Sequence, residues 1–303
     1  MVSNKREKEF SNLVVDASHL AYRVFFALPD LSQFGTNTHM VHGFLTSLLS
    51  VVKQFPFHEL IIALDGGSGR KRALYQGYKV RTPSEEPLDL VRHNDFNRQF
   101  DIIVDILTSL GVKQCYCDSV EADDVIAHIC NKNWVSCEDY QYNVPRPILI
   151  LSGDHDLYAL LQDDVSLWIP HKEEIYTIEK FRETFLGLEP FQYRDMMAFM
   201  GCSGDNVPGV KGIGPSYAAK LIKTYGSLDG VFNADPTKDR LVKLAQDNRD
   251  MVEISLKLVS FLDIEPIMFH HRFDFARARK LLYANGLMAL IESWSKLENL
   301  SKL

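Results

Sequence analysis

The chain reads as an α/β protein built on a mostly parallel central sheet flanked by helices, and three observations predict this. Short apolar, β-branched runs recur at Leu13-Val14-Val15, Leu60-Ile61-Ile62-Ala63-Leu64 and Ile148-Leu149-Ile150-Leu151. Each run ends in an aspartate or in a glycine turn carrying aspartates, and the first and last pass into helical apolar spacing. Ligands of open α/β sheets gather outside the carboxyl ends of the strands, so acids repeated there put chemistry at one edge.

Asp16 closes the first run, and Ser18-His19-Leu20-Ala21-Tyr22 then turns towards helix. Asp65 closes the second, before Gly66-Gly67. Residues 68 to 95 change character: Arg70-Lys71-Arg72, Tyr75, Tyr78-Lys79 and Arg81 interleave basic and aromatic groups, a pattern suited to phosphate contact and base stacking. Phe96 to Leu110 shows helical spacing through Phe100, Ile103, Val104 and Leu107. Val112 to Cys117 follows as a strand, with Cys115 and Cys117 on one face in a packing role.

Glu121-Ala122-Asp123-Asp124 opens the next helix, whose apolar face is Val125, Ile126 and Ile129, with Ser119 placed to accept backbone N–H bonds near its start. Glu121 and Asp124 share a face. Three carboxylates within four residues repel one another unless a cation sits among them, and a hard divalent ion would remove that repulsion. Gly153-Asp154-His155-Asp156 is the third acidic strand end; His155 reads as a solvent-facing turn residue. Val165–Ile169 and Glu174–Thr177 form a strand pair, and Ile178–Phe185 a helix.

From Pro190 onwards the pattern is wholly helical, which divides the chain into a core over 1–189 and a second subdomain over 190–303. Gly201 to Gly214 places five glycines in fourteen residues, a turn-rich segment whose backbone N–H groups can face a phosphate, with Lys211 beside it. Pro215 then opens a helix through Ala218, Leu221 and Ile222.

Composition bounds the function. The net charge is −7, but residues 1–190 carry −9 and residues 191–303 carry +2, so the acidity lies where the carboxylates are and a polyanionic partner is not excluded. No run approaches the ~18 apolar residues of a membrane span, and Met1 to Glu9 lacks a signal-peptide core, which predicts a cytoplasmic protein. Five cysteines without a CxxC pair argue against a disulfide framework and a structural zinc site. No Ser/His/Asp or Cys/His arrangement supplies a nucleophile. Asp16, Asp65, Glu121, Asp123, Asp124, Asp154, Asp156 and Asp205 could meet at one sheet edge, and an all-oxygen donor set selects Mg²⁺ or Mn²⁺. Two such ions ~3.5 to 4 Å apart suit phosphodiester hydrolysis.

Val14-Val15-Asp16, Ala63-Leu64-Asp65, Tyr78-Lys79 with Arg81, Glu121-Ala122-Asp123-Asp124, Ser152-Gly153-Asp154-His155-Asp156 and Gly204 to Gly214 occur in that order. Together they resemble the metal-dependent 5′ nucleases: flap endonucleases, phage 5′-to-3′ exonucleases and the nuclease domain of bacterial DNA polymerase I. The resemblance covers nearly the whole chain. It implies a PIN-like core, a first metal served by Asp16, Asp65, Glu121, Asp123 and Asp124, and a second served by Asp154, Asp156 and Asp205. A helical arch near residues 70 to 100 would pass a single-stranded 5′ end, with Arg70, Lys71, Arg72 and Tyr78 facing DNA and Lys79 and Arg81 on the scissile phosphate. A helix-three-turn-helix over about 201 to 226 would grip duplex DNA through Gly209, Lys211, Gly212, Gly214 and Lys220, with a K⁺ ion.

Two departures stand out. Cys202 occupies a position where such nucleases commonly carry aspartate, and a thiol is a poor ligand for Mg²⁺. Lys79 and Arg81 are two apart rather than three. The leading expectation is a monomeric structure-specific 5′ nuclease acting on 5′ flaps, nicked or 5′-ended duplex in replication or repair, in a bacterium or a phage-infected host. The alternatives are a DNA-binding paralogue weakened at Cys202, and cleavage of RNA-DNA hybrids by the same chemistry.

Overall fold

The computed structural model describes residues 10–29, 32–33, 36–80, 87–132 and 147–295. The chain runs β1 (Phe10–Asp16), α1 (Ala17–Ala27), a small hairpin of β2 (Ser32–Gln33) and β3 (Thr36–Asn37), α2 (His39–Gln54), β4 (Phe57–Ala63), α3 (Gly69–Leu74), α4 (Pro87–Ser109), β5 (Lys113–Tyr116), α5 (Ala122–Asn131) and β6 (Ile148–Leu151). It continues through a 3₁₀ turn (Asp156–Leu160), β7 (Val165–Ile169), β8 (Glu174–Tyr176) and α6 (Ile178–Thr184). After a second short turn come α7 (Tyr193–Met200), α8 (Pro215–Tyr225), α9 (Leu228–Phe232), α10 (Arg240–Asp247), α11 (Arg249–Val259), β9 (Ile267–Phe269), α12 (Phe275–Ala284) and α13 (Met288–Ser295).

Seven strands form one sheet in the order β8-β7-β6-β1-β4-β5-β9, parallel from β7 to β5 and antiparallel at both edges. Side-chain alternation explains the layering. Val14, Ile61 and Ile150 enter one core, with α5, α7 and α8, while Leu13, Val15, Ile62 and Leu149 enter another, with α1, α2 and α4. Both faces are therefore covered, as a parallel sheet requires. The continuous apolar runs of β1, β4 and β6 are the sequence form of that double burial. Cys115 and Cys117 lie in the first of these cores, in the packing role expected of them. Among the described residues no helix is long and apolar enough to cross a membrane.

The C-terminal region corrects one expectation. It is mainly helical, but Ile267–Phe269 forms β9, antiparallel to β5 with Cys115 opposite Met268. Without it β5 would present an open edge, and the β-branched Ile267 and aromatic Phe269 suit that place. The chain then returns to the core: Asp274 N–H donates to the Ser109 carbonyl at 2.8 Å, and Ala278 and Leu282 of α12 join the core beside α4. Residues 190–303 are thus not wholly helical and do not stand wholly apart from the sheet.

Candidate active site

The strand order places the carboxyl ends of β6, β1, β4 and β5 side by side, and an open cleft of about 510 Å³ lies over them. Asp16, Asp65, Glu121, Asp123, Asp154 and Asp205 line it. A relay of hydrogen bonds ties the end of β1 to the end of β6. Asp16 caps α1 by accepting the His19 N–H at 2.9 Å, and its other oxygen accepts the Ser152 hydroxyl at 3.1 Å. The Ser152 hydroxyl oxygen in turn accepts the Asp154 N–H at 3.1 Å, and Asp154 accepts the Asp156 N–H at 2.9 Å. Asp65 accepts the Gly67 N–H at 2.6 Å, so the turn after β4 fixes it.

Asp123 is the centre of repulsion. Burial first, then the carboxylates of Asp154, Asp16 and Asp156, push its pKa well above the carboxylate range. Burial lifts Asp16 to about 6, with Asp154 adding to it, and lifts Asp156 to about 7, with Asp154 and Asp205 adding. An acid whose pKa rises on folding binds its proton more tightly folded than unfolded, so stability falls as pH rises between the two values. In the metal-free protein the contribution of these two carboxyls to stability is therefore fully present below pH 3.8 and lost as pH rises through about 6 for Asp16 and about 7 for Asp156. Thermal unfolding in chelator should show the melting temperature dropping across this window, with added divalent ions removing the drop; a flat or rising profile would contradict the crowding.

Glu121 and Asp124 differ from the rest. Glu121 is the N-cap residue of α5, in place of the expected Ser119, whose backbone is left-handed at φ 59°. One Glu121 oxygen accepts the Tyr78 hydroxyl at 2.8 Å and pairs with Lys71 at 3.1 Å; the other pairs with Lys79 at 2.6 Å. Burial would raise its pKa, but Lys71, Lys79 and Tyr78 outweigh burial and hold it below the usual range. Asp124 is fully buried, 3.4 Å from Lys71, and accepts the Leu262 N–H at 2.8 Å. Its oxygens face a lysine and a backbone amide, which sets it apart from the acids lining the cleft.

Lys71 and Tyr78 need correction. The family resemblance points both at DNA, yet Lys71 is 5% and Tyr78 3% exposed. The reason is electrostatic: two inward carboxylates on α5 draw in the basic and hydroxyl groups of the passing segment. Arg70 is exposed and donates to the Cys117 sulfur, while Arg72 donates to the backbone carbonyls of Tyr78 and Lys79. Lys79 therefore sits on a braced backbone. Its φ of 48° is in the left-handed region, its N–H donates to the Asp205 carbonyl at 2.9 Å, and its ammonium also lies 3.7 Å from the Asp205 carboxylate. Strain of this kind persists where surrounding contacts over-determine it. Arg81 lies outside the described residues, as does the 81–86 part of the expected arch; α3 and α4 flank it.

The glycine-rich segment joins α7 to α8 and turns on a bridge in which Cys202 and Val207 exchange backbone hydrogen bonds at 3.0 and 2.9 Å. A Cβ on Gly209 would meet the Met200 carbonyl oxygen at 2.1 Å, and Gly212 has φ 98°, so neither admits another residue cheaply. Lys211, Gly214 and Lys220 are exposed on this hairpin. Burial first raises the Cys202 thiol pKa, and the nearby carboxylates of Asp205 and Asp156 add to it. His155 is exposed, in keeping with a turn residue. Ser18, His19 and Tyr22 of α1 also line the cleft, and the motif reading passed over them. Their signal was position: they occupy the first turns after an acidic strand end.

The donor set fits hard divalent cations. Its ligand atoms are carboxylate oxygens, and burial together with mutual repulsion opposes their full ionisation until cations arrive. Among the described residues no three Asp, Glu, His or Cys side chains converge on one point. An ion in the cleft would complete its coordination with waters or substrate phosphate oxygens.

Comparison with known proteins agrees with this architecture. Residues 11–186 match the family model for the 5'-3' exonuclease N-terminal resolvase-like domain, and residues 188–273 match its C-terminal SAM fold. The 5'-3' exonuclease of Aquifex aeolicus is 33% identical over 258 residues, covering 83% of each chain. The thermostable DNA polymerase I of Thermus thermophilus is 36% identical over 235 residues, which is 76% of this chain but 26% of the polymerase. In fold, the chain is similar to the T5 flap endonuclease in a pseudo-enzyme-product complex with DNA and metal ions, with TM-score 0.64, 19% identity, and coverage of 97% and 100%. The chain belongs to the 5'-3' exonuclease family of metal-dependent nucleases.

Proposed function

We propose that the chain is a structure-specific 5′ nuclease that hydrolyses DNA phosphodiesters at 5′ flaps and 5′ ends by two-metal-ion chemistry, acting as a monomer in a bacterial or phage-infected cytoplasm. The observation that carries it is the single cleft lined by Asp16, Asp65, Glu121, Asp123, Asp154 and Asp205, with Lys79 held at its wall. Asp16 and Asp123 serve one ion, and Asp154, Asp156 and Asp205 the other, while Asp65 faces the same space from β4. Bound Mg²⁺ or Mn²⁺ ions would activate water and stabilise the leaving oxygen. Glu121 is held by Lys71, Tyr78 and Lys79, and Asp124 anchors Lys71, so these two support the site rather than close it. Lys79 exchanges a carboxylate for the scissile phosphate when DNA enters, with Arg81 beside it. Lys211 and the N–H groups around Gly212 and Gly214 grip the duplex backbone, with Lys220 alongside and a K⁺ ion at the turn.

The test is cleavage of a 5′-labelled flap beside the same duplex without a flap and an RNA-DNA hybrid, across Mg²⁺ and Mn²⁺ series. Cutting near the flap junction supports the reading. Flap binding without cutting in either metal sinks it and favours a DNA-binding paralogue. Faster cutting of the hybrid would move the substrate to RNA.

Cys202 sharpens the metal question. Its thiol lies near Asp205 and Asp156, where a carboxylate would add a hard oxygen donor. Cys202→Asp is expected to lower the Mg²⁺ concentration for half-maximal cleavage about 10-fold, within the range seen when metal-site partners change. An unchanged titration would show that the thiol takes no part.

A further inference from the structure

We propose that His19 is a substrate-binding residue whose Nε2–H donates to a phosphodiester oxygen of the strand being cut. The inference rests on the nuclease reading and deepens it. His19 lines the carboxylate cleft at the first turn of α1. Its Nδ1 accepts the Gly153 N–H at 3.3 Å, so the ring lone pair is there and the proton is on Nε2.

The ring is held as well as tautomerically fixed. A Cβ built on Gly153 would stand 3.0 Å from His19 Cε1, so the glycine turn packs directly on the imidazole edge. Among the described residues nothing hydrogen-bonds Nε2. This leaves one fixed donor, without an acceptor, beside Asp16 and Asp154.

Chemistry narrows its partner. With Nδ1 occupied and Nε2 protonated, the ring has no lone pair for a metal ion. A donor without an acceptor suits phosphate oxygens, which only accept, better than base edges, which offer both. Gly153 links the contact to the Asp154 turn, so phosphate docking and the acidic loop share one support.

Single-turnover cleavage of a 5′-labelled flap, with DNA concentration varied, tests this on wild type, His19→Ala, His19→Asn and His19→Gln. The side-chain amide of Asn can accept the Gly153 N–H but falls short of the phosphate; that of Gln reaches the position of Nε2 with a donor. The expected result is a loss of about 10- to 100-fold in His19→Ala, carried mainly by weaker DNA binding, with Gln recovering more activity than Asn. Asn matching or exceeding Gln would mean that His19 merely supports the Gly153 turn, and would overturn the proposal. His19→Ala equal to wild type overturns it alone. A wild type that cuts no DNA removes the nuclease reading and this inference with it. If His19→Ala loses its far-ultraviolet circular dichroism, the Asn and Gln pair decides.

Discussion

Asp123→Asn is expected to reduce metal-dependent cleavage by more than about 100-fold while leaving the fold intact, because it removes a charge at the point where four carboxylates crowd. Its neighbour in sequence should behave in the opposite way. Asp124 is fully buried against Lys71 and the Leu262 amide, so Asp124→Asn acts on stability more than on catalysis. Measuring the melting temperature and single-turnover rate of both variants separates the two roles. Asp123→Asn with near-normal cleavage would remove Asp123 from the metal-holding set. Metal-free Asp123→Asn should also melt no lower than wild type, since the lost group was opposing its neighbours.

Lys71→Met should be the most destabilising single change at the site. Lys71 is 5% exposed and pairs with Glu121 at 3.1 Å and Asp124 at 3.4 Å. Removing one member of a buried pair leaves its partner uncompensated, at a cost of roughly 3–5 kcal/mol. Two carboxylates lose their shared cation here: Glu121 keeps Lys79 and the Tyr78 hydroxyl, while Asp124 keeps the Leu262 amide. Denaturant unfolding of the metal-free variant reads the loss. Mg²⁺ should restore part of it, because an ion entering near Glu121 replaces the missing charge. An unfolding midpoint within error of wild type would show that the lysine merely shields the acids through solvent.

Much of the fold was legible because parallel strands buried on both faces leave near-continuous apolar runs, and β1, β4 and β6 are such runs. The acids at their ends marked the cleft, since strand ends in one sheet share an edge. Other elements escaped, and β9 and α2 show the physical reasons. β9 is three residues long and gains its meaning from the open edge of β5, a partner more than a hundred residues earlier. The long helix α2 carries no polar motif and was passed over, although Phe44, Leu45, Leu48 and Leu49 have its spacing.

Side-chain direction was the harder part of the site. A run such as Arg70-Lys71-Arg72 looks uniformly basic in sequence, yet Arg70 points to the Cys117 sulfur, Lys71 inward to two acids and Arg72 to backbone carbonyls. On a helix as short as α3, successive residues face three directions, and burial of the middle one follows from what α5 presents. His19 was missed for a related reason: its function depends on the Gly153 amide, which only the sheet order brings beside it.

Equilibrium Mn²⁺ binding to the metal-free protein, followed by electron paramagnetic resonance without DNA, counts the ions the cleft holds. Two ions per chain are expected, with one lost in Asp123→Asn and the other weakened in Asp156→Asn. No saturable binding, or binding unchanged in both variants, would contradict the assignment of this cleft as a two-metal nuclease site.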